Sequence, residues 1–457
     1  PEDAHPGRSG FRLIDHGPEA FAIRARSALL AGRSLDVQTY IWHADTTGMY
    51  LAHRALQAAD RGVRVRLLVD DMDARAKNAG FAGLDAHPNI AVRMFNPFKS
   101  RAGSLGEVAE LIGNFNRINH RMHNKTWIAD NRIAIVGGRN LGDEYFGASD
   151  EVNFVDLDFA MIGPVVRAAS ESFDTYWNND ICYPMQVLDP DAVTDDNLER
   201  VRGLLADSAA EGERSRYAEE LHGDDAVQRL IAGDWPMEWT DVSQFVSDDP
   251  AKVTMEKEAL ERSHVRTLLV PTAEHARDSI TLISPYFVSD SLGTRILVDA
   301  ARSGKRVRVL TNSLVGNDVA AVHGGYSRWR RPLLEGGVEL WELKPLPGSE
   351  VHASLLGSAG ASLHTKALTV DGTRLFVGSF NLDPRSTWLN CEQGILAEDA
   401  SLAANLEAIF ERQCGGDHAW RVTLDGGELR WSDGREVFDA EPHASTWRLF
   451  QAWVTRV

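Results

Sequence analysis

The pattern of hydrophobic and polar positions along the chain repeats itself. Residues 34–71 read SLDVQTYIWHADTTGMYLAHRALQAADRGVRVRLLVDD, and residues 279–313 read SITLISPYFVSDSLGTRILVDAARSGKRVRVLTNS. Each copy predicts an apolar strand, a loop, an amphipathic helix, a turn with a basic residue and glycine, and a β-branched strand. The pattern therefore predicts the same βαβ unit twice.

Each unit continues to a second matching segment. Residues 123–140 read HNKTWIADNRIAIVGGRN, and residues 364–381 read HTKALTVDGTRLFVGSFN. The spacing from the turn glycine to the histidine is 61 residues in the first copy and 60 in the second. A register that holds over this length indicates duplication of a whole domain. We expect two α/β domains, at 10–190 and 265–415.

The remaining segments are a connector and a tail. Residues 191–264 begin acidic and helix-prone and predict a helical linker that packs against both halves, with a solvated connector as the alternative. Residues 416–457 contain Asp-Gly turns between alternating segments and predict a small β-meander followed by an amphipathic tail. That tail either enters a membrane interface or docks on the protein's own core. Its aromatic and apolar stripe at helical spacing consists of Trp447, Phe450, Trp453, Val454 and Val457.

Composition narrows the class of protein. The chain has 457 residues, 43% of them hydrophobic, 25% charged, and a net charge of −18. This acidic balance disfavours a protein that grips nucleic acid, and disfavours adhesion to anionic lipid through charge alone. No apolar run is long enough to cross a bilayer, and the polar first ten residues predict no secretory signal. Three cysteines predict free thiols with neither a disulfide framework nor a zinc site.

The second matching segment carries the candidate chemistry. Successive side chains of a strand point to opposite faces, so those of His123 and Lys125, two residues apart, point to the same face. Asp130 follows in a predicted hairpin turn, and the next strand ends in a Gly-Gly-Arg-Asn run at Asn140, where glycine permits close backbone approach and the amide supplies a donor. An imidazole, an ammonium and an amide that converge suit a phosphate. The second copy repeats these groups as His364, Lys366, Asp371 and Asn381.

A single HxKxxxxD pattern is weak evidence, but two copies in register with a duplicated domain are strong. They resemble the paired HKD motifs of the phospholipase D superfamily. The resemblance covers nearly the whole chain and extends to NLDPRS at 381–386, LNxE at 389–392 and GDEYF at 142–146. Residues 119–176 are particularly similar to bacterial cardiolipin synthases of the C type. The alternative is a pair of structural strands with surface histidine and lysine.

The resemblance implies a fold and a mechanism. Two repeated phospholipase D-type domains, each a mixed sheet flanked by helices, are expected to be related by a pseudo-twofold axis with the active site between them. One histidine attacks phosphorus and the other protonates the departing alcohol; family analogy favours His123 as nucleophile and His364 as acid. Neither a metal nor a cofactor is expected. The groups expected to hold the non-bridging oxygens are Lys125, Lys366, Asn140 and Asn381.

Each imidazole needs a partner for its other nitrogen. The family position indicates Glu392 for His364. For His123 the candidates are Asp156 and Asp158, with Asp156 preferred. Asp130 and Asp371 belong to the motif and are counted with its catalytic residues, but their turn positions predict a structural role.

Softer candidates surround this set. Ser379, Tyr40 and Tyr286 are expected to line the substrate pocket, with core packing as the alternative for the two tyrosines. Arg117 and Arg121 flank the first motif and are candidates for a second phosphate or for solvated surface. His323 and Tyr326 are candidates for the edge of the cleft.

The leading functional hypothesis is phosphatidyl transfer between phospholipids, as in cardiolipin synthesis from phosphatidylglycerol with a second phosphatidylglycerol or with phosphatidylethanolamine. Hydrolysis to phosphatidic acid is the runner-up, a nuclease is third, and a non-catalytic lipid-binding protein is the remaining alternative. The resemblance implies a peripheral protein at the bacterial inner membrane, with a membrane surface as partner and no nucleic acid.

Overall fold

Two mixed β-sheets, each flanked by helices, make up the protein. The structure is a computed structural model and describes residues 4–74, 78–98, 119–254, 263–317, 320–345 and 363–455. Within these ranges the first sheet has nine strands and the second has ten. The predicted α/β class with two repeated domains is confirmed.

The strands of the first sheet are β1 (Ser9–Ile14), β2 (Ser34–Thr39), β3 (Arg64–Asp70), β4 (Ile90–Phe95), β5 (Thr126–Ala129), β6 (Ile133–Gly137), β7 (Asp158–Ile162), β8 (Cys182–Pro184) and β9 (Glu238–Thr240). Their order in space is β8-β4-β3-β2-β5-β6-β7-β1-β9. The predicted βαβ unit is the parallel set of β2, β3 and β4, and the motif strand β5 runs antiparallel beside β2.

The strands of the second sheet are β10 (Ser243–Ser247), β11 (Ser279–Ile283), β12 (Arg306–Asn312), β13 (Glu339–Leu343), β14 (Ala367–Val370), β15 (Arg374–Gly378), β16 (Gln393–Glu398), β17 (Ala419–Asp425), β18 (Glu428–Ser432) and β19 (Val437–Phe438). Read from β17, the order is β17-β13-β12-β11-β14-β15-β16-β10. This matches the first sheet strand for strand from β8 to β1, so the two repeats run from β1 to β8 and from β10 to β17.

The helices surround these sheets. They are α1 (Gly17–Leu30), α2 (Thr46–Asp60), α3 (Asp71–Ala74), α4 (Asn78–Asp85), α5 (Asp143–Phe146), α6 (Val165–Trp177), α7 (Met185–Leu188), α8 (Asp195–Gly212), α9 (Arg216–Gly223), α10 (Asp225–Ala232), α11 (His264–Glu274), α12 (Ser291–Arg302), α13 (Ala320–Glu335), α14 (Pro384–Trp388), α15 (Ala400–Gln413) and α16 (Thr446–Val454), with short 3₁₀ turns at Pro190–Ala192 and Pro250–Thr254. The helices of the two βαβ units begin alike: Asp45 and Asp290 each accept a hydrogen bond from the backbone N–H three residues on. None of the described helices has the length and apolar composition that crossing a bilayer requires.

The two halves share one hydrophobic core. Buried side chains from both sheets form a single cluster that includes Phe159 and Met161 of the first half and Val377 and Ile395 of the second. Separate clusters lie on the outer faces, under the helices of each half. The two sheets therefore pack against each other, each through one of its faces.

Two predicted boundaries need correction. The segment 191–264 contains helices α8–α10, which pack on the first half, but it also supplies β9 to the first sheet and β10 to the second. The tail meander is not a separate unit, because β17 pairs antiparallel with β13 of the second sheet. Short strands at a sheet edge carry little hydrophobic periodicity, so their pairing depends on the neighbouring strand.

Candidate active site

The two HxK motifs lie where the halves meet. The backbone N–H of His123 donates to the carbonyl of Cys391 over 2.9 Å, and the backbone N–H of His364 donates to the carbonyl of Val155 over 2.8 Å. Isolated parallel bridges join Met122 to Cys391 and Val155 to Leu363. Each motif is thus held by backbone from the other half of the chain.

Each imidazole is also paired with a carboxylate from the other half. His123 Nδ1 lies 2.9 Å from Glu392 Oε2, and His364 Nδ1 lies 2.6 Å from Asp156 Oδ2. Both predicted carboxylates are therefore partners of catalytic histidines, but the assignment of each one to the histidine of its own half was wrong. The alternative, Asp158, forms buried ion pairs with two arginines instead.

The crossed pairing has a simple geometric cause. Asp156 and Glu392 occupy equivalent positions, each two residues before the residue that pairs with the last glycine of the preceding strand. Each follows directly on a bridge residue, Val155 or Cys391, that pairs with the opposite half. The backbone that crosses the interface thus carries its carboxylate to the far histidine. Gly138 leaves room for this, since a Cβ there would lie 2.1 Å from Asp156 Oδ1.

Burial and charge keep these imidazoles neutral. Burial, opposed by Glu392, lowers the pKa of His123. Burial and the nearby Lys366 lower the pKa of His364 to about 3. Burial by itself would raise the pKa values of Asp156 and Glu392. The paired histidine and the nearby lysine together outweigh burial at each carboxylate and hold both pKa values below the ordinary range. A neutral imidazole whose Nδ1–H donates to a carboxylate leaves Nε2 with a lone pair, which is the form that a nucleophile or a general base needs.

The two lysines belong to the same electrostatic site. Lys125 donates to the carbonyl of His123, and Lys366 donates to the carbonyl of His364. Burial, together with the charge of Lys366, lowers the pKa of Lys125 to about 7. Lys366 also lowers the pKa of His123, and Lys125 lowers that of His364. The lysine of each motif therefore acts electrostatically on the histidine of the other motif, as expected if both motifs form one anion site.

The motif aspartates serve the backbone. Asp130 accepts from the N–H groups of Gly32, Arg33 and Ser34, at 2.7–3.2 Å. Asp371 accepts in the same way from residues 277–279. Both residues have positive φ, 56° and 55°, in turns where Asp is tolerated. The predicted structural role agrees with these contacts, and they argue against counting either residue as catalytic.

The amide and hydroxyl candidates differ from one another. Asn140 donates to the Tyr145 hydroxyl and accepts from the Ile41 N–H, so its side chain is already held. Asn381 is buried, and its Oδ1 has no hydrogen-bond partner among the described residues. Ser379 is fully buried and donates its hydroxyl to Glu392. This contact positions the carboxylate rather than the substrate, contrary to the expected role of Ser379.

Aromatic rings pack around both histidines. The Tyr40 ring lies edge-on to His123 at 5.4 Å, as expected of a pocket residue. Beside His364 the rings are Tyr145 and Phe154, each at 5.4 Å. Tyr286 is half-buried in the loop after β11. The sequence did not identify Tyr145 and Phe154 as site residues. Tyr145 lies in the GDEYF segment, whose signal was its part in the family resemblance.

The remaining candidates that lie within the described residues have structural contacts. Arg121 is buried and pairs with Asp70 at 3.0 Å, so it is neither surface nor a phosphate ligand. Arg117 lies outside the described residues. His323 and Tyr326 are buried beside Glu441 and Glu342 rather than at a cleft edge.

One group among the described residues has metal-ligand spacing, namely His43, Asp45 and Glu144, with ligand atoms within 4.8 Å of one another. Asp45 already accepts hydrogen bonds from the N–H groups of Gly48 and Asp143.

Two repeated α/β halves that each contribute a histidine and a lysine to one anion site define the class of the phospholipase D superfamily. A family model described as "Cardiolipin synthase, PLD-like domain" matches residues 28–177 and 269–414. The chain is 41% identical over 455 residues to cardiolipin synthase C of Escherichia coli (strain K12), covering 97% of this chain and 94% of that protein. The chain belongs to the cardiolipin synthase family of PLD-like enzymes.

More distant relatives agree with the fold. An uncharacterized protein of Helicobacter pylori (strain J99 / ATCC 700824) is 30% identical over 437 residues, covering 94% of this chain and 84% of that protein. The crystal structure of phosphatidylserine synthase from Haemophilus influenzae Rd KW20 has a TM-score of 0.63 at 12% identity, covering 98% of this chain and 91% of that one. At this identity the match shows the two-domain fold alone.

Proposed function

We propose that the protein transfers a phosphatidyl group from phosphatidylglycerol to the hydroxyl of a second phospholipid, producing cardiolipin. The observation that carries this proposal is the crossed pairing of His123 with Glu392 and of His364 with Asp156. This pairing supplies two neutral imidazoles, one from each half. Two lysines lie close enough that each lowers the pKa of the histidine in the other motif.

The two histidines divide the proton and phosphoryl steps. Nε2 of His123 attacks the phosphorus of the donor, and the bond from phosphorus to the head-group glycerol oxygen breaks. The glycerol leaves with a proton from His364, and the phosphatidyl group stays on His123 through a P–N bond. His364, now neutral, takes the proton from the acceptor hydroxyl, whose oxygen attacks phosphorus and releases His123.

The protonation states follow from the site's charges. His364 is neutral in the free protein, and the anionic phosphodiester raises its pKa by introducing a negative charge in the same buried space. Asp156 then stabilises the imidazolium, much as a buried carboxylate does in hydrolase triads. Lys125 and Lys366 offset the charge that builds on the non-bridging oxygens.

The exposed tail helix supports contact with a membrane. Trp447, Phe450 and Trp453 of α16 stack on one another and are 61%, 52% and 65% exposed. The opposite face of the helix docks on the protein through Arg448 and Ala452, as the second alternative for the tail predicts, and the aromatic face stays exposed. Exposed tryptophan and phenylalanine suit the interface of a bilayer.

The position of this helix favours the same conclusion. Arg448 donates to the carbonyls of Leu314 and Val315, in the loop that follows β12. Asn312, at the end of β12, exchanges two hydrogen bonds with Leu363, the residue before His364. The aromatic face therefore belongs to the edge of the second sheet where the active site lies, and we assign it to the surface of the substrate membrane.

Product analysis tests the function. The purified protein is incubated with mixed micelles of phosphatidylglycerol, with and without phosphatidylethanolamine, and the lipids are analysed by mass spectrometry. From phosphatidylglycerol alone we expect cardiolipin and free glycerol. Where phosphatidylethanolamine is the phosphatidyl donor and phosphatidylglycerol the acceptor, we expect cardiolipin and free ethanolamine. His123→Ala and His364→Ala should form none of these products. Phosphatidic acid as the sole product would make the protein a hydrolase and overturn the transfer proposal.

A further inference from the structure

An apolar cavity lies in the second half of the protein. It lies between α11, α12 and the outer face of the second sheet, is open to solvent at one side, and has a volume of about 90 Å³. Leu269 of α11, Ile296 of α12 and Leu282 of the central strand β11 line it. All three are only half-buried, whereas residues on the covered face of a central strand are normally packed.

The matching space in the first half is filled. Val37 has the position of Leu282, three residues into the equivalent strand, and is 1% exposed. The ring of Phe21 on α1 lies 5.7 Å from that of Phe146 on α5 and 5.5 Å from that of Tyr50 on α2. Three aromatic rings thus close the gap between the helices and the sheet.

The duplicated register shows what replaced these rings. Counted back from the first residue of the following strand, Arg266 stands where Phe21 stands. Counted forward from the motif asparagine, Thr387 stands where Phe146 stands. Arg266 Nη1 lies 3.3 Å from Thr387 Oγ1, so a polar pair occupies the place of an aromatic pair. The apolar space beneath it stays open.

The two ends of the cavity differ in polarity. Ile283 pairs with Ala367, which places Ser284 beside Lys366 at the active-site edge of the sheet, and both residues line the cavity. Arg266 in the first turn of α11 lines it at the same edge, since α11 precedes β11 and runs back along it. The other end is lined by apolar side chains such as Ala273 and Leu297. Asp290 also lines this edge and is the ion-pair partner of Arg266 at 3.3 Å, so the positive charge offered to a lipid head group there is that of Lys366. A cation at the opening and an apolar interior suit a lipid with an anionic head group and a hydrocarbon chain.

We propose that this cavity binds one acyl chain of the phospholipid whose phosphate is held by the two histidines. The inference rests on the proposed function for the identity of the head group. Lys366 connects the two sites, because it belongs to the anion site and also lines the cavity. The chain binds in the second half, so the two pseudo-symmetric halves are not equivalent towards substrate.

Direct binding tests the cavity without turnover. A fluorescent long-chain fatty acid, cis-parinaric acid, is titrated into the protein. We expect saturable fluorescence enhancement, weakened at least tenfold by Leu282→Phe and by Ile296→Phe, each of which fills the cavity. Ile231→Phe is the matched control, because Ile231 is 49% exposed on α10 in the first half. Thermal unfolding identifies any variant that fails to fold, and the two filling variants serve as checks on each other. Wild-type affinity in both folded filling variants would overturn the proposal.

Turnover of monomeric lipids separates this proposal from the proposed function. With phosphatidylglycerols of four to eight carbons per chain, KM should fall about fourfold for each methylene that becomes buried. Leu282→Phe should flatten that dependence. Turnover without chain-length dependence would refute the cavity and keep the function. Saturable fatty-acid binding without turnover of any phospholipid would refute the function and keep the cavity.

Discussion

The imidazole of His364 and the carboxylate of Asp156 lie 2.6 Å apart although 208 positions separate them in the chain. The equivalent pair, His123 with Glu392, is separated by 269 positions and by 2.9 Å. Each histidine is therefore oriented by the half to which it does not belong. Neither half holds both its histidine and that histidine's partner, so the orientation of both imidazoles depends on the docking of the two sheets.

The crossed pairs predict which imidazole each carboxylate controls. Asp156→Asn should replace the carboxylate beside His364 Nδ1 with an amide whose N–H group can donate to Nδ1. It should lower kcat by about 10²–10⁴-fold, as expected when a catalytic histidine is held in the wrong tautomer. Histidine NMR should show the hydrogen-bonded Nδ1 proton of His364 lost in Asp156→Asn and retained in Glu392→Gln, with the reverse for His123. Loss of the His123 proton in Asp156→Asn would mean that each carboxylate serves its own half.

The pH dependence should report Lys125. Its pKa of about 7 means that it is a cation below that pH and neutral above it. The values of kcat/KM for an anionic phospholipid should therefore fall as the pH rises through about 7. Lys125→Arg, whose guanidinium stays charged, should be slower but should lose this decline below pH 9. An unchanged alkaline limb in that variant would assign the titration to another group.

The motif aspartates should affect stability more than chemistry. Asp130→Ala removes the acceptor of three backbone N–H groups and places alanine at a φ of 56°. We expect a loss of about 2–3 kcal/mol in the free energy of unfolding, measured by denaturant titration. Asp130→Asn is the matched control, since asparagine tolerates this φ and keeps an acceptor oxygen. A kcat reduced 10³-fold in folded Asp130→Asn would restore a catalytic role.

The aromatic face of α16 should determine membrane binding. Trp447→Ser with Trp453→Ser should reduce co-sedimentation with phosphatidylglycerol vesicles about tenfold or more. It should leave kcat on monomeric short-chain lipid unchanged, because both rings are exposed and the rings that pack on the two histidines are Tyr40, Tyr145 and Phe154. Leu29→Ser with Leu30→Ser, also exposed and apolar but on α1, is the control. Equal loss in both double variants would indicate general hydrophobic adhesion.

The domain boundaries were harder to predict than the repeated units, because short edge strands have little hydrophobic periodicity. The helices and parallel strands of both βαβ units follow from strong local patterns, and the turn role of Asp130 and Asp371 follows from the hairpin spacing. The edge strands β9 and β10 contain three and five residues within a segment that begins as an acidic helix. Their conformation comes from pairing with β1 and β16, which local propensity does not encode.

The sequence by itself determined the duplication, the α/β class, and the identity of the histidines, lysines and carboxylates, because residue types at fixed spacing on strands establish which side chains share a face. It did not determine which carboxylate meets which histidine, that Tyr145 and Phe154 flank His364, or that the space beside β11 stays open where the matching space beside β2 is filled. Those relationships cross the interface or depend on how helices fill the space above a sheet. Only the packing of the two halves, through buried apolar area and a few bridging hydrogen bonds, decided them.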